Sequence, residues 1–224
     1  MMVKRVSVGI REFDKLVGGG FPEFSMVVLS GNPGAGKTIL SSRFIYEGVN
    51  TYGENGVYVC LAESIEKFLS TMKEFGMDFE PSIQRKKVEI LDFSLLGDID
   101  VQLALNRILD AITSINAKRV VLDSVTALFM GLKTEAEKRH TLRLIYKLIK
   151  RTGCTTIVVV DEPFNSDHSW YGEDFIADGV VSMRTTFEDG VLRRKLRIVK
   201  MRGTNHTLRT HSYIITLAGV KILG

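Results

Sequence analysis

The sequence is short of the residues that build disulfide-linked and metal-centred folds. Its 224 residues contain only two cysteines, Cys60 and Cys154, and both lie in or beside apolar segments. Buried, reduced thiols are the favoured interpretation, because a disulfide framework or a thiolate metal site needs more cysteines at defined spacings. The four histidines show no metal-ligand spacing either. Neither kind of stabilisation is expected here.

Segments for export or membrane insertion are also missing. No apolar run approaches the roughly 18 residues of a membrane span, and residues 1–7 lack the apolar core of a signal peptide. The sequence therefore predicts a cytoplasmic protein with no membrane partner. The net charge is only +4, from 30 basic and 26 acidic residues, which by itself does not indicate a nucleic-acid partner.

Apolar strand patterns alternate with amphipathic helical patterns from residue 26 to residue 161, which is typical of a parallel sheet with right-handed crossovers. Glu188-Asp189-Gly190 is a hairpin signal, so the later strands predict an antiparallel extension at the sheet edge. With no internal repeat or boundary, residues 1–224 are expected to form one α/β domain, a mostly parallel central sheet flanked by helices. The predicted strands are residues 26–29, 57–62, 88–91, 119–123, 155–160, 180–186, 191–199 and 213–217, and the predicted helices are 11–17, 37–52, 65–76, 100–115 and 135–152.

The stretch from Gly31 to Thr38 fits the phosphate-binding pattern G-x-x-x-x-G-K-[ST], with a strand before it and a helix after it. Glycines let the backbone curl so that successive N–H groups face phosphate oxygens, and the helix N-terminus adds partial positive charge. In this pattern Lys37 reaches the β- and γ-phosphates and the Thr38 hydroxyl binds Mg²⁺. The sequence therefore predicts a nucleotide site formed by Gly31, Asn32, Pro33, Gly34, Ala35, Gly36, Lys37, Thr38 and Ile39.

Three acids follow predicted core strands, at the edge where parallel sheets place ligand-binding residues. Asp123 fits the acid that holds Mg²⁺ through its water shell. Glu63 is the candidate base for the attacking water, and Asp161 is a candidate sensor of the γ-phosphate. The alternatives are a helix cap or turn for Asp123 and an exposed loop carboxylate for Glu63.

Two other stretches leave their roles open. Positive charge is concentrated in Arg193-Arg194-Lys195-Leu196-Arg197 and continues through Lys200, Arg202 and Arg209. These side chains could belong to solvated strand faces, to a surface that binds a polyanion, or to a nucleotide site. Gly18-Gly19-Gly20 fits either a flexible linker or a tight turn packed near the nucleotide.

Four motifs follow one another along the chain: residues 9–20, Val57-Tyr58-Val59-Cys60-Leu61-Ala62-Glu63-Ser64, Val121-Leu122-Asp123-Ser124-Val125-Thr126 and Lys200-Met201-Arg202-Gly203-Thr204-Asn205-His206. Together they resemble the motifs of the KaiC-like ATPases of the RecA/RadA superfamily. This resemblance implies a RecA-like core, ATP or ADP with Mg²⁺ as ligands, and assembly into a ring, often hexameric, with ATP between subunits. It also implies that Lys200 and Arg202, with His206 nearby, reach the γ-phosphate of a neighbouring subunit.

The sequence also departs from the clock member of this family. That protein has paired acids after its second strand, where this chain has Ala62 and Glu63. One acid is retained, so hydrolysis is expected to persist even if it is slower. The clock protein is a tandem of two such domains, and residues 162–178 here lack the adjacent Ser-Thr pair of its autophosphorylation site. Autokinase activity is not expected.

Three functions remain open from the sequence. The leading one is a ring-forming ATPase that acts in regulation or signalling, with a regulatory protein as partner. The second is a single-stranded DNA-binding repair or recombination accessory, which would use Trp170 or Tyr171 in the 162–174 loop and the basic C-terminal third. The third is a switch that binds ATP and hydrolyses it negligibly.

Overall fold

The computed structural model describes residues 4–94, 101–163 and 176–223. Nine strands form one sheet in the order β11-β10-β9-β8-β3-β7-β6-β4-β5. From β8 to β5 neighbouring strands are parallel, and from β8 to β11 they are antiparallel. The strands are β3 (Met26–Gly31), β4 (Gly56–Cys60), β5 (Val88–Asp92), β6 (Arg119–Asp123), β7 (Thr155–Asp161), β8 (Gly179–Glu188), β9 (Val191–Met201), β10 (Thr210–Thr216) and β11 (Gly219–Ile222), and β1 (Arg5–Val6) and β2 (Phe21–Pro22) form a separate ribbon.

Helices cover both faces of this sheet and create two apolar cores. Helix α2 packs on one face with the N-terminal segment, and α5 and α7 pack on the other. Strand β3 is buried along its whole length, as a central parallel strand must be. The helices are α1 (Arg11–Leu16), α2 (Lys37–Tyr52), α3 (Ile65–Glu74), α4 (Glu80–Gln84), α5 (Val101–Ser114), α6 (Val125–Phe129) and α7 (Glu135–Thr152).

These elements confirm the predicted mixed α/β fold, its mostly parallel sheet and its antiparallel extension. The ends of most predicted elements shift by one to three residues, and the sequence patterns missed α4, α6, β11 and the β1–β2 ribbon. All of these are short, so they carry little periodicity. Cys60 and Cys154 are buried free thiols, as expected. None of the helices within the described ranges is long and apolar enough to cross a membrane.

The triple glycine is a tight turn, and it packs away from the phosphate loop. A Cβ on Gly20 would lie 2.5 Å from the carbonyl oxygen of Val6, so a side chain there would collide with β1. Next to this turn, Arg5 donates to Thr204 Oγ1 at 2.6 Å and to the Gly203 carbonyl at 3.1 Å. The N-terminal segment therefore anchors the loop that follows β9.

A buried arginine ties the N-terminal segment and α2 to the amino end of β6. The Arg119 side chain is 1% exposed, donates to the carbonyls of Ser7 and Phe44 at 2.7 and 2.8 Å, and pairs with Glu54 at 2.7 Å. Its guanidinium carbon lies 4.7 Å from the centre of the Phe44 ring. Such a cation is tolerated because every partner it needs is in place.

Arg119→Met should lower the free energy of unfolding by about 3 kcal/mol, because two buried carbonyls and one carboxylate lose their donor. Urea unfolding followed by circular dichroism measures the change. The adjacent Lys118→Met, at an exposed side chain, should stay within about 0.5 kcal/mol of the unmodified chain. Equal losses for the two variants would contradict the role given to Arg119.

Candidate functional site

The phosphate loop lies at the carboxyl end of β3, between β8 on one side and β7 on the other. It ends at Gly36, which adopts a left-handed conformation with a φ of 83° and caps α2. Helix α2 has 16 residues and no acid in its first turn, so its N-terminal partial charge is not neutralised locally. This is the strand–loop–helix context that the motif requires.

Four carbonyl oxygens of this loop are bonded to side chains, two to a side chain within the motif and two to side chains from the antiparallel extension. Lys37 donates to the carbonyls of Gly31 and Asn32 at 2.7 and 3.1 Å. From the antiparallel extension, Arg194 of β9 donates to Gly34 at 3.1 Å and Tyr213 of β10 donates to Ala35 at 2.6 Å. Within the loop the Ala35 N–H bonds to the Asn32 carbonyl at 3.4 Å, and the other loop N–H groups are left to face an anion.

Two residues at the start of the loop fix it to β8. A Cβ on Gly31 would lie 1.7 Å from the carbonyl oxygen of Met183, so only glycine fits there. The Asn32 side chain donates to the Thr185 carbonyl at 2.9 Å and accepts from the Thr185 N–H at 2.8 Å. The Asn32 side chain thus holds the loop in place and is not directed at a ligand.

Lys37 has a carboxylate partner at the neighbouring strand end. Its ammonium lies 3.0 Å from Asp161 Oδ1, and the lysine is 7% exposed while Asp161 is 44% exposed. Asp161 also accepts from Ser124 Oγ, and its N–H donates to Thr126 Oγ1 at 2.8 Å. Asp161 is therefore linked both to the phosphate-loop lysine and to the segment that follows β6.

Asp123 is close to the first turn of α2. It accepts a 2.7 Å hydrogen bond from Tyr58, whose hydroxyl also lies 3.2 Å from Ser41 of α2. Burial raises the pKa of Asp123, and hydrogen bonds from Tyr58 and Thr38 oppose that rise. Burial likewise holds the pKa of Tyr58 well above its usual value, so Tyr58 remains a hydrogen-bond donor.

Glu63 lies just beyond the carboxyl end of β4. That end is joined to the end of β6 by a hydrogen bond from the Leu61 N–H to the Asp123 carbonyl at 2.7 Å. Burial and then the negative charge of Asp123 raise the pKa of Glu63, while Lys67 lowers it. A carboxylate with a raised pKa is a stronger base when ionised. The structure thus brings the phosphate loop, Asp123, Asp161 and Glu63 to one edge of the sheet.

Lys200, Arg202 and His206 do not join this cluster. In the sheet, Lys200 of β9 lies opposite Val180 of β8, and Val180 lies opposite Val28 of β3. Val28 comes three residues, or about 10 Å, before Gly31. The Arg202 guanidinium lies 3.5 Å from Asp178, which accepts from the N–H of Met26, the first residue of β3. Lys200 and Arg202 therefore lie toward the amino edge of the sheet, away from the phosphate loop of their own chain, and His206 follows in the loop after β9, where its ring nitrogen lies 2.8 Å from the Thr207 carbonyl.

A cavity of about 340 Å³ adjoins the start of α2. Ile39 and Arg43 line it on one side, and the β10–β11 hairpin, including Thr216 and Gly219, lines it on the other. Ile39 follows Thr38 directly, so this cavity borders the first turn of α2 next to the phosphate loop.

Sequence reasoning missed Tyr58, Arg194 and Tyr213. A tyrosine inside a predicted buried strand was a usable signal for Tyr58, since its hydroxyl must find a partner. Arg194 and Tyr213 gave no such signal, because they lie about 160 and 178 residues from their partners. The predicted loop 162–174, with Trp170 and Tyr171, falls almost entirely outside the described residues.

A family model described as "ATPase: KaiC" matches residues 6–224. UPF0273 protein PH0284 of Pyrococcus horikoshii is 34% identical, over 98% of this chain and 94% of that protein. The circadian clock oscillator protein KaiC of Nostoc sp. is 31% identical over 98% of this chain, which spans 44% of its length. The crystal structure of KaiC-like protein PH0186 from P. horikoshii superposes with a TM-score of 0.91 at 35% identity, with both chains fully covered.

Tyr213→Phe should weaken the affinity for a nucleoside triphosphate about fivefold, because the Ala35 carbonyl loses its donor and the loop loses a support worth about 1 kcal/mol. Calorimetric titration measures the change. Tyr52→Phe is the matched control, since the Tyr52 side chain is exposed and its hydroxyl makes no hydrogen bond within the described segments. Unchanged affinity in Tyr213→Phe would contradict a bracing role for β10.

Proposed function

Because the chain belongs to the KaiC-like family of RecA-fold ATPases, we propose that it binds ATP with Mg²⁺ and hydrolyses it at a site completed by a second copy of itself. The observation that carries this proposal is the phosphate loop, whose carbonyls at Gly31, Asn32, Gly34 and Ala35 are bonded elsewhere. The bonds from Arg194 and Tyr213 do not depend on Lys37, so they support the shape of the loop when Lys37 binds a phosphate.

The roles follow from position and charge. The loop N–H groups and the start of α2 bind the phosphates, and Lys37 neutralises charge on the β- and γ-phosphates. Ile39 and the adjoining cavity have the position and size for the base and ribose. Glu63 accepts a proton from the attacking water, which its raised pKa favours.

Thr38 and Asp123 supply the oxygen donors that fit Mg²⁺. Among the described residues, no group of three or more His, Cys, Asp or Glu side chains could hold a metal by itself. Mg²⁺ usually binds one or two protein groups together with water and substrate phosphates. Thr38 would bind it directly and Asp123 through water, and the bound ion would neutralise phosphate charge.

Lys200 and Arg202 support a shared active site. Neither lies at the carboxyl edge of its own sheet, yet transfer of a phosphoryl group calls for positive charge where negative charge develops. The loop that follows them is held by Arg5 and by the Thr207 N–H, which bonds to the Leu16 carbonyl at 3.0 Å. A fixed loop at the opposite edge suits contact with a neighbour's site, with ring assembly as the outcome.

The DNA-binding alternative gains little from the basic strand β9. Glu188 pairs with Lys195 and lies 3.6 Å from Arg193, and Arg194 is bonded to the phosphate loop. The side chains of Arg193, Arg194 and Lys195 therefore each have a partner within the chain. The non-hydrolysing switch remains the alternative, and measured turnover distinguishes it.

Lys37→Ala should abolish phosphate release and weaken ATP binding. Glu63→Gln should bind ATP normally but release phosphate at least a hundredfold more slowly, because a catalytic base contributes about that factor. Calorimetric titration and a phosphate-release assay separate binding from turnover. Normal turnover in Glu63→Gln would show that another group is the base, and tight binding without turnover in the unmodified chain would favour the switch.

Arg202→Ala should lose phosphate release while its own phosphate loop stays intact. Mixing it in equal amounts with Lys37→Ala should restore release to about a quarter of the unmodified level, since a quarter of head-to-tail contacts then combine an intact loop with an intact arginine. Light scattering with ATP, with ADP and without nucleotide gives the assembly size. Failure of the mixture to recover activity, despite assembly, would refute sharing of the site.

A further inference from the structure

The loops that enter five parallel strands enclose a second cavity, at the edge of the sheet opposite the phosphate loop. Its volume is about 460 Å³, within the usual range of small-molecule sites. We call it the amino-edge pocket, and its lining includes Lys4, Phe24, Glu54, Asn55, Lys87 and Lys118. None of its lining residues belongs to the nucleotide site, which lies about 16 Å away along β3.

The charge of this pocket is positive and partly unbalanced. Its two acids are already paired, since Glu23 lies 2.6 Å from Lys4 and Glu54 lies 2.7 Å from Arg119. Lys87 and Lys118 are exposed, and within the described ranges neither ammonium makes a hydrogen bond or an ion pair. Two cations are left for a ligand.

Strand register places these two lysines around one point. Gly56 of β4 pairs with Val88 on one side and with Arg119 on the other. Lys87 and Lys118, one residue earlier, therefore flank Asn55, with their Cα atoms about 10 Å apart, or two strand spacings. Lysine side chains are long and flexible enough to converge on one dianion between them.

Phe24 adds an exposed aromatic ring at the rim of the pocket. It occupies the third position of a turn closed by the Ser25 N–H and the Pro22 carbonyl at 3.1 Å, and its φ is 62°. Glycine is preferred there, and a side chain costs about 1–2 kcal/mol. The ring is nevertheless 51% exposed, so burial in the core does not offset that cost.

We propose that the amino-edge pocket binds a small aromatic phosphate ester of the nucleoside monophosphate class. The phosphate lies between Lys87 and Lys118, and the aromatic ring stacks on Phe24. A dianion matches the two lysines without partners, and a flat aromatic group gives the strained, exposed phenylalanine a binding role.

The test is calorimetric titration of AMP into the full chain carrying Lys37→Ala, which silences the phosphate loop. A parallel titration uses the unmodified chain saturated with Mg²⁺ and a non-hydrolysable ATP analogue, so the result does not depend on one variant. AMP should bind in both. Lys87→Gln with Lys118→Gln should weaken it at least tenfold, and the matched control, Lys86→Gln with Lys147→Gln, should not.

Phe24→Gly separates binding from folding. It should weaken AMP binding several-fold while raising the melting temperature, because glycine adopts a φ of 62° without strain. No AMP binding once the phosphate loop is blocked, or equal binding by the two lysine pairs, would overturn the proposal. Inorganic phosphate binding as tightly as AMP, with no effect of Phe24→Gly, would overturn the aromatic part of it.

Discussion

The phosphate loop can present its N–H groups to an anion only if its carbonyl oxygens are satisfied elsewhere, and much of the structure serves that requirement. Lys37 bonds two of the carbonyls from within the motif, and β9 and β10 bond two more through Arg194 and Tyr213. The antiparallel extension thus contributes directly to the structure of the phosphate loop. The Asn32 side chain adds two hydrogen bonds between the same loop and β8.

The parts of the fold and site that could be read from the sequence are those encoded locally. The loop, its strand and its helix are contiguous, and Asp123 and Glu63 each follow an apolar strand whose end a parallel sheet places beside the others. Arg194 could not be assigned, because a basic residue in a strand has the same pattern whether it meets solvent or a distant loop. The amino-edge pocket could not be predicted from the sequence either, because residues from five separate loops form it.

Strand direction explains how the chain keeps its charged groups apart. The six parallel strands, from β8 to β5, place the acids and the phosphate loop at one edge of the sheet. Strand β9 runs the other way, so its last residues, Lys200 and Met201, come out at the opposite edge. The reversed direction of β9 therefore gives the two edges of the sheet different charged groups, and the proposed head-to-tail contact between copies would bring these groups together.

The ion pair between Lys37 and Asp161 has a consequence for ligand affinity. In this structure the lysine already has an anion 3.0 Å away, attached to the same chain and always at hand. An incoming phosphate must outcompete this resident carboxylate, so a measured affinity is a difference between two anions. The N–H and carboxylate of Asp161 are bonded to Thr126 and Ser124, so the phosphate-loop lysine is connected to the segment that follows β6.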